Sequence, residues 1–189
     1  MSPEIIWLIA QAAIDTLTMV AIAAGLGALV GLPLGVFLAT SKRGELFSAP
    51  TTNAALGFIV NATRSTPFII LVVAIIPFTR LIAGTSIGTK AAIVPLTIAT
   101  IPFVARIVEG AVREVDQGLI EAARAMGATP LQIVRKVLTP EALPAIVLGL
   151  TLAIVSLIGF SAMVGAVGGG GLGDLGIRYG YQRFMPDVM

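Results

Sequence analysis

The chain contains no cysteine and no histidine in 189 residues, only 12% of it is charged, and aromatic residues make up only 6%. Each shortage removes chemistry. Without cysteine there is no disulfide, no thiolate nucleophile and no thiolate metal ligand; without histidine there is no Ser-His triad and no imidazole zinc site. The ten acidic residues are scattered through ends and loops and build no paired-carboxylate constellation, so an intramembrane hydrolase has no machinery to work with. Twelve basic residues interspersed with those ten acids give a formal charge of +2. They form no basic stripe, which excludes a nucleic-acid groove. What remains is oil: 57% of the residues are hydrophobic and the mean hydropathy is +1.00. Such a composition belongs in lipid.

The first span starts after Asp15. From Thr16 to Ser41 there is no charged side chain, and 26 helical residues at 1.5 Å rise reach about 39 Å, enough to cross roughly 30 Å of hydrocarbon with tilt. Upstream, MSPEIIWLIAQAA has no basic n-region and no cleavage site, so it is not read as a removable signal peptide, and Trp7 suits an interfacial anchor. A second span is expected over Leu56 to Ala83, interrupted by Arg64, Pro67 and Pro77, and a third over Thr89 to Ile107, containing Pro95 and Pro102. The fourth lies within Ala142 to Gly173, centred on Ala142 to Gly165, and Phe184 to Met189 reads as an approach to another. The fold class is therefore all-α: a polytopic membrane helix bundle of at least four spanning helices.

Lysine and arginine set the orientation. Lys42, Arg43, Arg106, Arg113, Arg124, Arg135 and Lys136 fall on one side; Arg80, Lys90, Arg178 and Arg183 fall on the other. Seven against four puts the long polar loop between spans three and four in the cytoplasm of a multi-pass protein.

That loop, residues 116 to 139, is dense with helix signals. Asp116 is an N-cap; Leu119, Ile120, Ala123 and Met126 share one face of a short helix; Gly127 ends it in a left-handed cap. Thr129, Pro130 and Gln132 supply an N-cap, a first-turn proline and the N3 residue of a capping box. Thr139, Pro140 and Glu141 predict a third helix start that launches span four. The loop reads as a folded elbow.

Its spacing carries more than caps do. Glu121-Ala122-Ala123, three residues, Gly127, nine residues, Val137, two residues, Pro140 resembles the EAA loop of permease subunits of binding-protein-dependent ABC importers, with Thr139 where that family has leucine. RSTPFIILV at 64 to 72, IPFTRLIAGTSIG at 76 to 88, AAIVPLTIA at 91 to 99, GLIEAARAMGATPLQIVRKVL at 118 to 138, GFSAMVGAVGGGGLG at 159 to 173 and RYGYQRF at 178 to 184 resemble the permeases of methionine ABC importers. The resemblance covers nearly the whole chain and implies one transmembrane permease domain over residues 1–189, with 116–139 as its cytoplasmic coupling loop; the family has five spans in this subunit. It implies that the short helix docks into a groove on a cytoplasmic ATPase. Ala122, Ala123 and Gly127 would allow close approach, Met126 would join that contact, and Glu121 and Arg124 would make charge-assisted contacts at the rim. The implied partners are two ATPase subunits, a second copy of the chain, a periplasmic or lipid-anchored binding protein and membrane lipid, in a bacterial inner membrane. ATP and magnesium would be held by the ATPase, with no cofactor in this chain, which would itself be non-catalytic.

Three further features are read alongside. Gly171, Gly173 and Gly176 satisfy GxGxxG, but they follow a membrane helix instead of a strand and no GK[ST] occurs anywhere, so a dinucleotide site is excluded. Gly168 to Gly176 is expected to be a turn, flexible or closely packed, on the outer side. Arg64, an ionised group in an apolar segment, is expected to snorkel. In span four, Phe160, Ser161 and Met163 place a ring, a hydroxyl and a thioether within one turn, a candidate gate or shallow substrate site flanked by Gly159 and Gly165. Alternatives to methionine import are a permease for another amino acid or a small oxyanion, and an ion-coupled secondary transporter; the latter lacks midplane acids and a repeated chain here.

Overall fold

A computed structural model describes residues 3–185 and 188. The described residues are helical, in the order α1 (Pro3–Thr40), α2 (Pro50–Ser65), α3 (Phe68–Ala74), α4 (Ile76–Ala83), α5 (Thr89–Arg113), α6 (Gln117–Ala125), α7 (Pro130–Ile133), α8 (Thr139–Ala166) and α9 (Gly171–Leu175). Three helical stretches are long and apolar enough to cross a membrane: α1, α5 and the continuous run Pro130–Ala166. This is an all-α membrane helix bundle.

The span expected over Leu56–Ala83 is broken. The pair α2 and α3 is bent by 105°, because Thr66, preceding proline, is pushed out of the helical region and Pro67 itself sits at φ −55°, ψ 132°. Counting that bent pair as one crossing gives four spans. The segment before Asp15 is not a separate element either, since α1 runs through it for 38 residues. Of the approach to a further span expected at Phe184–Met189, Pro186, Asp187 and Met189 lie outside the described residues.

A second difference concerns the start of span four. Thr139 is not a cap: it has helical φ −66° and ψ −47°, and its N–H reaches back to the Val134 carbonyl. The helix passes through a widened π turn at Val134–Leu138 and continues. Pro140 has no N–H to donate and its ring crowds the preceding turn. The widened turn just before it absorbs that conflict, so the helix continues through the proline instead of stopping.

The chain forms two compact units by contact, one drawn from the stretches up to Gly27, Thr66–Thr100 and Ile154 onward, the other from Ala28–Ser65 and Ile101–Ala153. In the second unit the core gathers Ala39, Val104, Val108, Val112, Ile120, Ile133, Leu138 and Ile146. Lipid offers no hydrophobic force to drive helices together, so close packing of small residues must do it. Gly31 and Gly35 of α1 supply this against α5. A Cβ at Gly31 would stand 2.9 Å from the Ile101 carbonyl, and one at Gly35 would stand 2.5 Å from the Ala105 carbonyl.

In the first unit Met19, Val20, Phe68, Leu96, Leu157 and Val164 form the core. Here the four-glycine segment is packed tightly. A Cβ at Gly165 would lie 2.5 Å from the Gly173 carbonyl carbon, one at Gly173 would lie 2.5 Å from the Ala162 oxygen, and one at Gly171 would meet Thr16 Oγ1 at 2.5 Å. The Leu172 N–H donates to Thr16 Oγ1 at 2.9 Å, and the Gly88 N–H donates to the Gly168 carbonyl at 2.8 Å. Of the two expectations for this turn, the structure takes the closely packed one.

Candidate functional site

The elbow between α5 and α8 is built almost wholly from local signals. Asp116 caps α6, its Oδ1 accepting the Gly118 N–H at 2.7 Å. At the other end Gly127 adopts φ +79°. The Gly127 N–H donates to the Arg124 carbonyl at 2.9 Å and the Ala128 N–H to the Ala123 carbonyl at 3.0 Å. This paired arrangement is a Schellman closure, which needs a left-handed residue and satisfies two carbonyls that the helix end would leave bare. The next turn is closed by the predicted capping box: Thr129 N–H donates to Gln132 Oε1 at 2.8 Å, and Thr129 Oγ1 accepts from the Gln132 N–H.

The sequence-predicted coupling residues divide by face. Ile120 and Ala123 are buried and join the core with Val112, Val115, Ile133 and Leu138. Ala123, at 4% exposure, therefore seats α6 against its own chain and is not offered to a partner. Glu121, Ala122, Arg124 and Gly127 are exposed. Leu119 and Met126, expected on one helix face with Ile120 and Ala123, stand outward of that buried pair, Met126 with 81% of its surface free. Nine residues give only two and a half turns, and the core on that side is filled by Ile120 and Ala123. The elbow thus displays a bare, small-residue backbone edge, two opposite charges and one flexible thioether. No heavy atom lies within 4 Å of where a Gly127 Cβ would sit, so this chain leaves the space above it open.

The pathway residues of α8 are brought close in sequence but not into one polar site. Phe160 stacks on Phe68, centroids 4.6 Å apart and planes 18° from parallel. Ser161 is 3% exposed and its hydroxyl donates to the Ile158 carbonyl at 2.7 Å, so its proton is spent on its own helix. Met163 is half exposed. Arg64 lies in the last turn of α2 and is exposed.

An ionic cluster on α5 escaped the sequence reading, which used its arginines only as topology markers. Glu109, 5% exposed, is flanked one turn away on either side by Arg106 and Arg113. Arg106 Nη1 pairs with Glu109 Oε2, and Arg113 Nη2 lies 2.5 Å from Glu109 Oε1. The guanidiniums reach beyond their own helix. Arg106 Nη2 donates to the Gly57 carbonyl at 3.1 Å and to Asn61 Oδ1 at 2.8 Å on α2; Arg113 Nη2 donates to the Leu38 carbonyl at 3.3 Å near the end of α1. That carbonyl also accepts from Asn53 Nδ2 at 2.8 Å. The signal was present as R-x-x-E-x-x-x-R, an i, i+3, i+7 stripe on one helix face.

Long apolar helices joined by a capped, exposed elbow define a polytopic membrane protein. Among the described residues no group of His, Cys, Asp or Glu could hold a metal ion. Residues 31–189 match the family of binding-protein-dependent transport system inner membrane components, and the chain belongs to that family. It is 59% identical over 175 residues to the probable D-methionine transport system permease protein MetI of Vibrio cholerae, covering 93% of this chain and 78% of that protein. It is 51% identical over 165 residues to the D-methionine transport system permease protein MetI of Escherichia coli, covering 87% and 76%. A chain of the MetNI methionine ABC transporter, solved in inward-facing conformations, superposes with a TM-score of 0.96 at 51% identity, covering 100% of this chain and 88% of the other. A chain of an amino acid ABC transporter crystallised with histidines shares the fold, with a TM-score of 0.77.

Proposed function

We propose that this chain is the membrane subunit of an ATP-driven importer of methionine, working as a homodimer in a bacterial inner membrane. Two cytoplasmic ATPase subunits bind ATP and magnesium, and an external binding protein, periplasmic or lipid-anchored, delivers the substrate; this chain hydrolyses nothing. The reading is supported by 59% identity over 93% of this chain with a probable D-methionine transport system permease protein. One structural observation carries the mechanism: the elbow is locked at both ends of α6, by the Asp116 cap and by the Gly127 closure, while its outer edge is open.

A rigid elbow transmits displacement. Pressure from closing ATPase subunits on Glu121, Ala122, Arg124, Met126 and Gly127 reaches α5 on one side and, through the continuous π turn, α8 on the other. A slack loop would absorb the same motion. Phe160 and Met163, on α8, are the proposed gate residues, with Phe68 completing an apolar constriction. Ser161 sets the local helix geometry there.

Purification in mild detergent together with a candidate partner ATPase tests the assembly. The expected product is a 2:2 complex. A stable monomer indifferent to the ATPase contradicts the proposal.

A further inference from the structure

We propose that Glu109 is a positioning residue for coupling: its carboxylate, held between Arg106 and Arg113, ties the end of α1 and the middle of α2 to α5 so that all three follow the elbow as one piece. The inference rests on the reading of the elbow as the element that meets the ATPase.

The geometry is economical. Three residues, Glu114 to Asp116, separate α5 from α6, so a push on the elbow reaches α5 first. Glu109 lies one turn before that exit, and burial makes its charge depend on both partners. Arg106 uses Nη1 on Glu109 and Nη2 on α2, whereas Arg113 shares its Nη2 between Glu109 and α1. Arg106 holds Gly57 and Asn61 of α2; Arg113 holds Leu38 of α1. The α1 end is further secured by Asn53, which donates to Ser41 Oγ at 2.9 Å as well as to Leu38, and Ser41 is fully buried.

Removing the carboxylate charge would do two things. The two guanidiniums would no longer share an anion, and like charges two helix turns apart would lose the group that neutralises them. Their outward hydrogen bonds would lose fixed orientation, so α5 could shift without drawing α1 and α2 along. A role limited to folding predicts lower protein levels; a positioning role predicts uncoupling in protein that is present and assembled.

The test uses the complete complex with its ATPase and binding protein in proteoliposomes, with radiolabelled methionine as probe. Glu109→Gln preserves shape and removes charge. We expect the variant to retain ATPase binding and hydrolysis while methionine moved per ATP falls roughly five-fold or more, the scale of an ordinary coupling free energy. Because the natural chain has no cysteine, spin labels at Ala54→Cys on α2 and Gly110→Cys on α5, both exposed, report the separation of these helices. Labelled chains diluted with unlabelled ones should give a narrow distance distribution in the parent and a broad one with Glu109→Gln.

If Glu109→Gln does not accumulate, Arg106→Gln, which removes the donor to Gly57 and Asn61 of α2, takes its place with the same expectations. Glu109→Asp, which keeps the charge, should recover most of the coupling. Unchanged coupling in an accumulating variant overturns the proposal, and so does a fall in coupling with an unchanged narrow distance. Failure of the parent complex to bind any ATPase would instead remove the underlying reading of the elbow, while the distance measurement on the permease alone would still decide whether Glu109 ties α2 to α5.

Discussion

The amide of Ala128 donates to the carbonyl of Ala123 at 3.0 Å, across a glycine whose φ of +79° lets the chain double back at the end of α6. Two alanines thereby fix where the elbow turns. One of them, Ala123, simultaneously fills the core beneath it.

This relationship separates two effects of substituting Gly127. Valine carries a Cβ into left-handed backbone, at a cost of roughly 1–2 kcal/mol, and adds bulk to an open surface. Asparagine tolerates the left-handed region but adds bulk alone. Both should accumulate in the membrane and dimerise, and both should lose ATPase co-purification and transport, valine more severely. Recovery of normal ATPase binding by both variants would show that no partner approaches the backbone at Gly127.

The α1–α5 contact makes a contrasting prediction about stability. Gly35→Val would drive a side chain against the Ala105 carbonyl and Val108, and overpacking of this kind costs about 1–3 kcal/mol. Gly110→Ala, with open space where its Cβ would lie, should be neutral. Thermal denaturation of detergent-purified protein should show a lower midpoint for the first and none of that loss for the second.

Within α8 the two neighbours Phe160 and Ser161 should behave differently. Ser161→Ala removes a hydroxyl bonded to its own helix, so its effect on stability should stay within about 1 kcal/mol and uptake should change little. Phe160→Ala breaks the stack on Phe68 and should destabilise by about 3 kcal/mol, the low end for a truncated Phe because the ring is partly exposed. Phe160→Leu, keeping bulk without the stack, should fold and alter the apparent affinity for substrate. Uptake kinetics across a range of methionine concentrations checks this.

Much of the elbow was legible because its signals are local. Asp116, Gly127 and the Thr129–Gln132 box each act within four residues, and each forms as its spacing predicts. Thr139 failed for a reason of the same kind: a threonine before proline is a cap only if the chain arrives from outside a helix, and a widened turn let the helix continue instead. The face of Met126 depended on which side the core filled first. Span two was readable as apolar, but Pro67 turned a kink into a 105° bend that hydropathy does not register. Glu109 remained hidden because its meaning lies in Gly57, Asn61 and Leu38, distant in sequence. Charges counted for topology revealed nothing of what they bind.

On the proposed function, this chain moves methionine when an ATPase drives it. Reconstitution with a partner ATPase and an external binding protein, followed by radiolabelled methionine uptake into vesicles, is the decisive experiment. Accumulation should require ATP and magnesium on the ATPase side and survive collapse of proton and sodium gradients. Uptake that persists without ATP and follows an ion gradient would contradict it, and ATP-driven uptake confined to another amino acid or to a small oxyanion would overturn the substrate.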